Sequence, residues 1–469
     1  MLGYIFSSHR PAITKEEPVP PIIEYFSITK LHGYKNVRLE FDELYKIMLS
    51  ENGEGKTTIL KIIDATLNGN IRKLREISFG GIEIKFSSAA TPISIMKTEL
   101  EYDWESKAYK HISGRVSSEE LSKIIDVVMA ESKFETVRRK ISQLFEPHTS
   151  LTEPKSTRID SRYPFSSMAI KDLFDEKESL LLDLRKMEFF QQIEENFKLK
   201  TLYLPTYRRV EDLLSSLNID KEKQGQDYIQ FGLTDVEEKL ESIKKEILTS
   251  SNDSMSRINS EILTRLVNGL TVNDEDRSII TSNSDSIELV LNRFGRSLTP
   301  SDKSKIISLV KNKAEVAKKK NDTLVYFLSK MYSAFFEQRE KDKALTRFSE
   351  ICTKYFKNKT MKYDATSISV VITCPDSDLP IKFGDLSSGE KQIVSLFSKL
   401  VLERDNQYFI LFDEPELSLS VEWQKLLIKD VISCDSCSML LAMTHSPFIF
   451  SGLTQYTSDL QSYFFKELD

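Results

Sequence analysis

One run constrains this chain more than any other: Tyr45-Lys46-Ile47-Met48-Leu49, then Ser50-Glu51-Asn52-Gly53-Glu54-Gly55-Lys56-Thr57-Thr58, then Ile59, Leu60, Ile62, Ile63 and Leu67. The apolar stretch reads as a strand, the glycines as a tight loop, and the final spacing as one face of a helix. The loop departs from G-x-x-x-x-G-K-[ST] only at its first position, where Ser50 stands for glycine. Gly53 and Gly55 leave backbone N–H groups able to curl round a phosphate, and the helix turns its positive end toward the anion. Lys56 adds an ammonium between β- and γ-phosphates, and Thr57 a hydroxyl ligand for Mg²⁺. Serine at position 50 costs backbone freedom but spares the cradle, so phosphate binding is still expected.

Three later segments carry candidate chemistry. Tyr408-Phe409-Ile410-Leu411-Phe412 is the kind of run a strand buried on both faces requires, and Asp413-Glu414-Pro415-Glu416 follows at its carboxyl end. Asp413 is a candidate Mg²⁺ ligand and Glu414 a candidate base for an attacking water, although a strand ending in an acidic turn would look the same. Leu386-Ser387-Ser388-Gly389-Glu390-Lys391-Gln392 opens a helix from Ile393 to Leu402. Serine with glutamate three residues on is a capping box, and such a helix start also suits a phosphate. Met443-Thr444-His445-Ser446-Pro447 follows the strand Met439 to Ala442, with His445 placed 31 residues (445 − 414) after Glu414. That histidine is either structural or within reach of a terminal phosphate.

The rest of the chain frames these segments. With 469 residues, 40% apolar and 29% charged, it suits one large domain carrying an insertion, or two domains. A net charge of −6 gives no global basic signature, so nucleic-acid contact would need a local patch or a partner. No stretch reaches the roughly 18 to 20 apolar residues of a membrane span, and no secretory leader is evident, so a cytoplasmic location is expected. Cys352, Cys374, Cys434 and Cys437 are too few for a disulfide framework, and the single C-x-x-C reads as reduced structural thiols.

Residues 1–21 read as an extended arm. Alternation around His32-Gly33-Tyr34-Lys35 predicts two strands and a turn, and residues 77–112, including Glu99-Leu100-Glu101-Tyr102, read as β-rich. Helical spacing dominates from Ser118 to about Lys198 and again over 235–350, with Lys200 to Leu204 a strand between them. Strand and helix then alternate to the end. The expected fold class is therefore α/β: a head with a mixed or parallel sheet and a small antiparallel lobe, divided into 22–115 and 365–469 by a mainly helical insertion over 116–364. The run Lys318-Lys319-Lys320 reads as a solvated helix face.

Taken in order, these motifs resemble the ABC ATPases: Walker A at 50–57, signature at 386–390, Walker B at 409–414, D-loop at 417–420 and switch histidine at 445. The resemblance implies that Asn52, Gly53, Glu54, Gly55, Lys56, Thr57 and Thr58 of one subunit bind ATP, with Thr57 and Asp413 on Mg²⁺. It also implies that Ser387, Ser388 and Gly389 of a second subunit close over the γ-phosphate, that Leu417-Ser418-Leu419-Ser420 crosses the interface, and that Glu414 and His445 are catalytic.

Between Lys56 and Leu386 lie 330 residues (386 − 56), more than transporter ATPases place there. Ile28-Thr29-Lys30-Leu31-His32-Gly33-Tyr34-Lys35 and Thr444-His445-Ser446-Pro447 look like the SMC, RecF and OLD-type branch. OLD-type proteins carry a C-terminal Toprim nuclease domain, whereas 24 residues (469 − 445) follow His445 here. In this the chain is similar to the PtuA-type ATPases of Septu and Septu-containing retron defence systems, and next to the AriA-type ATPases of PARIS. Tyr203-Leu204-Pro205-Thr206-Tyr207-Arg208-Arg209 and Phe231-Gly232-Leu233-Thr234-Asp235-Val236 fit the same picture, with Arg208 and Arg209 either phosphate sensors, partner contacts or surface arginines. The resemblance implies a homodimer or an oligomer of dimers that controls a separately encoded nuclease, HNH type favoured, and meets nucleic acid through that partner. An SMC- or RecF-like repair ATPase and an ATP-stabilised scaffold are the alternatives. Ser420 stands where many relatives have histidine and no Q-loop glutamine can be placed, so turnover is expected to be slow.

Overall fold

The computed structural model describes residues 20–101, 107–144, 166–205, 233–269, 271–294, 298–375, 377–403 and 405–466. The arm to residue 19, Arg208, Arg209, Phe231 and Gly232 lie outside them. β1 (Ile23–Leu31) and β2 (Lys35–Glu40) form the antiparallel pair that their alternation predicts. The turn between them uses left-handed backbone at His32 (φ 53) and Gly33 (φ 88). β3 (Tyr45–Leu49) leaves for a second sheet and feeds the helix Lys56–Leu67. β4 (Gly81–Phe86) and β5 (Ile93–Met96) then return to the first sheet, beside β1.

Glu99-Leu100-Glu101 corrects the strand expectation, for Lys97–Glu101 is a helix. Its cause is local: the Glu99 carboxylate accepts the Met96 N–H at 2.7 Å, satisfying a donor at the helix start that a strand would have paired across a sheet. Residues 107–113 are helical as well, so the expected β-rich stretch is strand only in its first half.

β6 (Lys200–Leu204) returns to the head, which corrects its assignment to the insertion: it pairs in parallel with a strand more than two hundred residues later. β7 (Thr360–Asp364), β8 (Ser369–Cys374) and β9 (Ser377–Ile381) form a separate antiparallel sheet, whose first hairpin straddles the expected boundary at 364/365. β10 (Tyr408–Asp413), β11 (Cys437–Thr444) and β12 (Thr457–Asp459) complete the central sheet in the order β12-β3-β11-β10-β6, all parallel. A two-residue β13 (Phe464–Phe465) closes the outer edge of the first sheet against β2.

Alternation along β10 distributes its side chains to two cores. Phe409 and Leu411 face the helix Lys56–Leu67 and the antiparallel sheet, together with Met439, Leu441 and Met443. Ile410 and Phe412 face the other way, onto the helices Arg339–Tyr355, Ser388–Phe397 and Val421–Ile432. All six residues of β10 are buried, which is why Tyr408 to Phe412 read as an unbroken apolar run ahead of Asp413.

The helical middle is two blocks, not one. Residues 107–144 and 166–196 build a small core on Ile112, Ile124, Val128, Ile141 and Leu173. The second block hangs on the 35-residue helix Thr234–Asn268, about 50 Å long at 1.5 Å per residue. Val236, Ile243 and Ile247 sit in the head core at one end of it, and Ile258 sits in the block's own core further along. A polar knot secures the junction. Arg293, side chain 1% exposed, grips Asp342 with both terminal nitrogens (2.9 and 2.8 Å) and donates to the Ala365 carbonyl at 2.7 Å, while Tyr363 donates to Asp342.

Candidate nucleotide site at the carboxyl edge of the parallel sheet

Three adjacent parallel strands end side by side and set the geometry. Thr444 on β11 lies in register with Leu49 on β3, and Asp413 on β10 with Met443. Two further bonds carry this alignment past the strand ends: Ser50 N–H to the Thr444 carbonyl (3.0 Å) and Glu414 N–H to the Met443 carbonyl (2.8 Å). The glycine loop, the acidic pair and the histidine therefore leave the sheet at one edge, where open α/β sheets bind ligands.

Gly53 (φ 87) and Gly55 (φ 101) adopt left-handed backbone. Ser50 has no positive φ, so its side chain is tolerated at the one position where the loop departs from the motif. Gly55 caps the helix Lys56–Leu67 with no side-chain hydrogen bond to the helix's first N–H groups. Lys56, 5% exposed, directs its ammonium to the Ser50 carbonyl (3.2 Å), Asn52 Oδ1 (3.3 Å) and Glu414 Oε1 (3.3 Å). Thr57 donates its hydroxyl to Asp413 Oδ2 at 2.6 Å. Glu54 accepts the Glu51 N–H (3.0 Å) and Gln461 Nε2 (2.7 Å), holding the loop, and Thr58 sits half-buried in the helix's first turn.

Lys56, Thr57, Asn52, Asp413 and Glu414 thus form one cluster. A threonine hydroxyl and a carboxylate 2.6 Å apart are the hard oxygen donors that Mg²⁺ takes when substrate phosphates supply the remainder. Glu414 (φ 49) and Ser418 (φ 66) are left-handed, a conformation costing roughly 1–3 kcal/mol each for such residues. The strain turns the chain sharply at the end of β10. It also lets the Glu414 carboxylate come back over the loop to Lys56.

His445 follows β11 directly. Its Nδ1 lies 2.7 Å from Glu416 Oε1, and Glu416 also accepts the His445 N–H (2.9 Å) and the Thr444 hydroxyl (2.7 Å). Glu416 had no role assigned from sequence; the only signal was a third carboxylate in Asp413-Glu414-Pro415-Glu416.

Ser387 caps the helix Ser388–Phe397 in a full capping box with Glu390, as its spacing predicts. Glu390 is held in turn by Lys359 (2.8 Å), a partner that spacing along the chain does not reveal. A Cβ on Gly389 would meet Trp423 at 3.0 Å and the Ser418 carbonyl at 3.3 Å, so this helix start packs on the turn after Glu414. Among the described residues no hydrogen bond or ion pair joins Ser387, Ser388 or Gly389 to residues 50–58. The chain brings one part of the expected site together and holds the other part beside it.

Three of the four cysteines, Cys352, Cys434 and Cys437, are buried. Burial pushes the Cys434 thiol up to about 12 and raises Cys352 and Cys437 as well. Among the described residues no group of three or more His, Cys, Asp or Glu could hold a metal, and no helix is long and apolar enough to cross a membrane.

The fold and the site define an α/β protein of the phosphate-loop class, with its glycine loop and acidic strand end on one parallel sheet. More narrowly, the chain belongs to the AAA ATPase domain family, whose model matches residues 22–450. Among solved structures it is similar to a crystal structure of the Smc head domain with a coiled coil and joint derived from Pyrococcus yayanosii. That likeness has 14% identity and a TM-score of 0.29, and it covers 92% of this chain and 93% of that one. No curated protein matches the chain.

Proposed function

We propose that this chain binds ATP with Mg²⁺ and hydrolyses it in a site shared between two copies, as the cytoplasmic regulatory subunit of a bacterial anti-phage system with a separately encoded nuclease. The observation that carries the ATPase reading is the cluster of Lys56, Thr57, Asp413 and Glu414 at the carboxyl edge of the parallel sheet. Lys56 exchanges Glu414 for β- and γ-phosphate oxygens, and Thr57 and Asp413 hold the cation. Mg²⁺, when bound by Thr57 and Asp413, would neutralise the negative charge that develops during phosphoryl transfer. Released from Lys56, Glu414 orients the attacking water and accepts its proton, and His445 faces the terminal phosphate. Ser387, Ser388 and Gly389 of the second copy close the site with a helix N-terminus. The defence role and the HNH-type partner rest on the motif resemblance.

Glu414→Gln should lower kcat by about 10²–10⁴-fold while retaining ATP binding, and Lys56→Ala should lose binding itself. Calorimetric titration with ATP and a phosphate-release assay separate the two effects. A Glu414→Gln protein that turns over ATP at the wild-type rate would overturn the catalytic assignment. The defence role predicts that cells carrying the chain with its adjacent nuclease gene resist phage, and that Lys56→Ala abolishes the resistance in a plaque assay.

A further inference from the structure

Glu416 takes no part in the phosphate chemistry above, yet it is the most fully engaged carboxylate at this edge. Its side chain is 4% exposed, whereas that of His445 is 45% exposed. Oε2 accepts the Thr444 hydroxyl at 2.7 Å; Oε1 accepts both the His445 backbone N–H at 2.9 Å and Nδ1 of the same residue's ring at 2.7 Å. An exposed histidine ordinarily samples several rotamers. Here one oxygen grips the residue at backbone and ring together, which fixes the imidazole relative to the end of β11. The backbone that carries this carboxylate is held as well, because Gln424 Nε2 donates to the main-chain carbonyls of Glu416 at 3.3 Å and Leu419 at 3.0 Å. Ser446 closes the ring of bonds by donating to Gln424 Oε1 at 2.7 Å.

A carboxylate can only accept, so Nδ1 carries the proton. Nε2 has no hydrogen-bond partner among the described residues. In the neutral ring Nε2 is then an acceptor, suited to a hydrogen of the attacking water; in the imidazolium it is a donor, suited to a phosphate oxygen. In both states the direction in which it is presented is set by Glu416.

We infer that Glu416 is a positioning residue for ATP hydrolysis, holding the His445 ring by Nδ1 so that Nε2 is presented to the reacting phosphate and water. The inference rests on the reading of His445 as facing the nucleotide. Histidine-selective ¹⁵N NMR of the full chain tests it directly, and with five histidines the His445 signal is assigned by its loss in His445→Gln. The neutral ring should show the Nδ1–H tautomer in wild type. An Nε2–H tautomer would overturn the inference whether or not any variant folds.

Glu416→Gln keeps the shape but can donate to Nδ1. It should mix the tautomers and lower kcat on the order of 10²-fold while KM for ATP stays near the wild-type value. Thr444→Val, which removes the hydroxyl that bonds Glu416 Oε2 and accepts the Ser446 N–H (3.0 Å) but leaves the ring's own bond in place, should leave kcat within a few-fold of wild type. Equal kcat losses in the two variants would reduce Glu416 to a structural role and defeat the proposal, as would wild-type kcat in Glu416→Gln. Failure of the underlying ATPase reading looks different: wild type itself would show no phosphate release, while the tautomer measurement would stand unaffected.

Discussion

Glu390 ties the helix start at Ser387–Gly389 to the rest of the head through a charge balance that pH can test. Burial alone would push its carboxyl up, but the Lys359 ammonium and the N–H and hydroxyl of Ser387 outweigh burial and hold it below its ordinary value of 4.5. A group depressed on folding contributes its stability above the unfolded value and loses it as pH falls through the folded one. The gap in thermal midpoint between wild type and Glu390→Gln should therefore be full above about pH 4.5 and narrow on further acidification, as read by scanning fluorimetry. An unchanging gap would remove the ionic part of this cap. Lys56 and Thr57 were legible because their chemistry needs a fixed local spacing. The pairings of Lys359 with Glu390 and of Glu416 with His445 were not, since each joins residues about thirty apart that only the folded sheet and its flanking helices bring into contact.

At the scale of elements, legibility followed burial. β10 could be read from sequence because both of its faces are covered and its first five residues are apolar, and the Thr234–Asn268 helix because its periodicity is long. Short polar segments were ambiguous: alternation in Glu99-Leu100-Glu101-Tyr102 suits a strand, and one carboxylate on the Met96 N–H decides for helix. The affiliation of β6 was hidden for another reason. A five-residue strand carries no mark of its partner, so its place beside β10 emerges only from tertiary packing. The Arg293–Asp342 knot is equally invisible in sequence, yet it joins three elements at the base of the second helical block. Removing one partner strands a buried charge, so Asp342→Ala should cost about 3–5 kcal/mol in urea unfolding. A loss under about 1 kcal/mol, the range of exposed ion pairs, would mean that the knot is not a buried charge pair in solution.

The whole molecule is proposed to work as a pair. In a symmetric dimer each site takes Lys56 from one copy and Ser388 from the other. Ser388 is exposed, so Ser388→Glu should spare the fold while repelling the terminal phosphate of the partner's nucleotide. Lys56→Ala and Ser388→Glu should each be inactive alone, and a mixture of the two should recover ATP hydrolysis, because one site of every mixed dimer is intact. No recovery on mixing would place the complete site within a single copy. With ATP, Glu414→Gln should accumulate as the closed dimer in light scattering, since bound nucleotide stabilises the joined state and is not consumed.

The Thr234–Asn268 helix has a mechanical consequence. It is rooted in the head core at Val236, Ile243 and Ile247 and reaches about 30 Å beyond Ile247, 21 residues (268 − 247) at 1.5 Å each. A rod of that length acts as a lever, and a head rotation of about 5° swings its far end by about 3 Å relative to its root. Closure of a nucleotide site would thus be carried into a displacement of about half a helical turn, at the exposed tip where Leu263, Leu266 and Val267 face solvent.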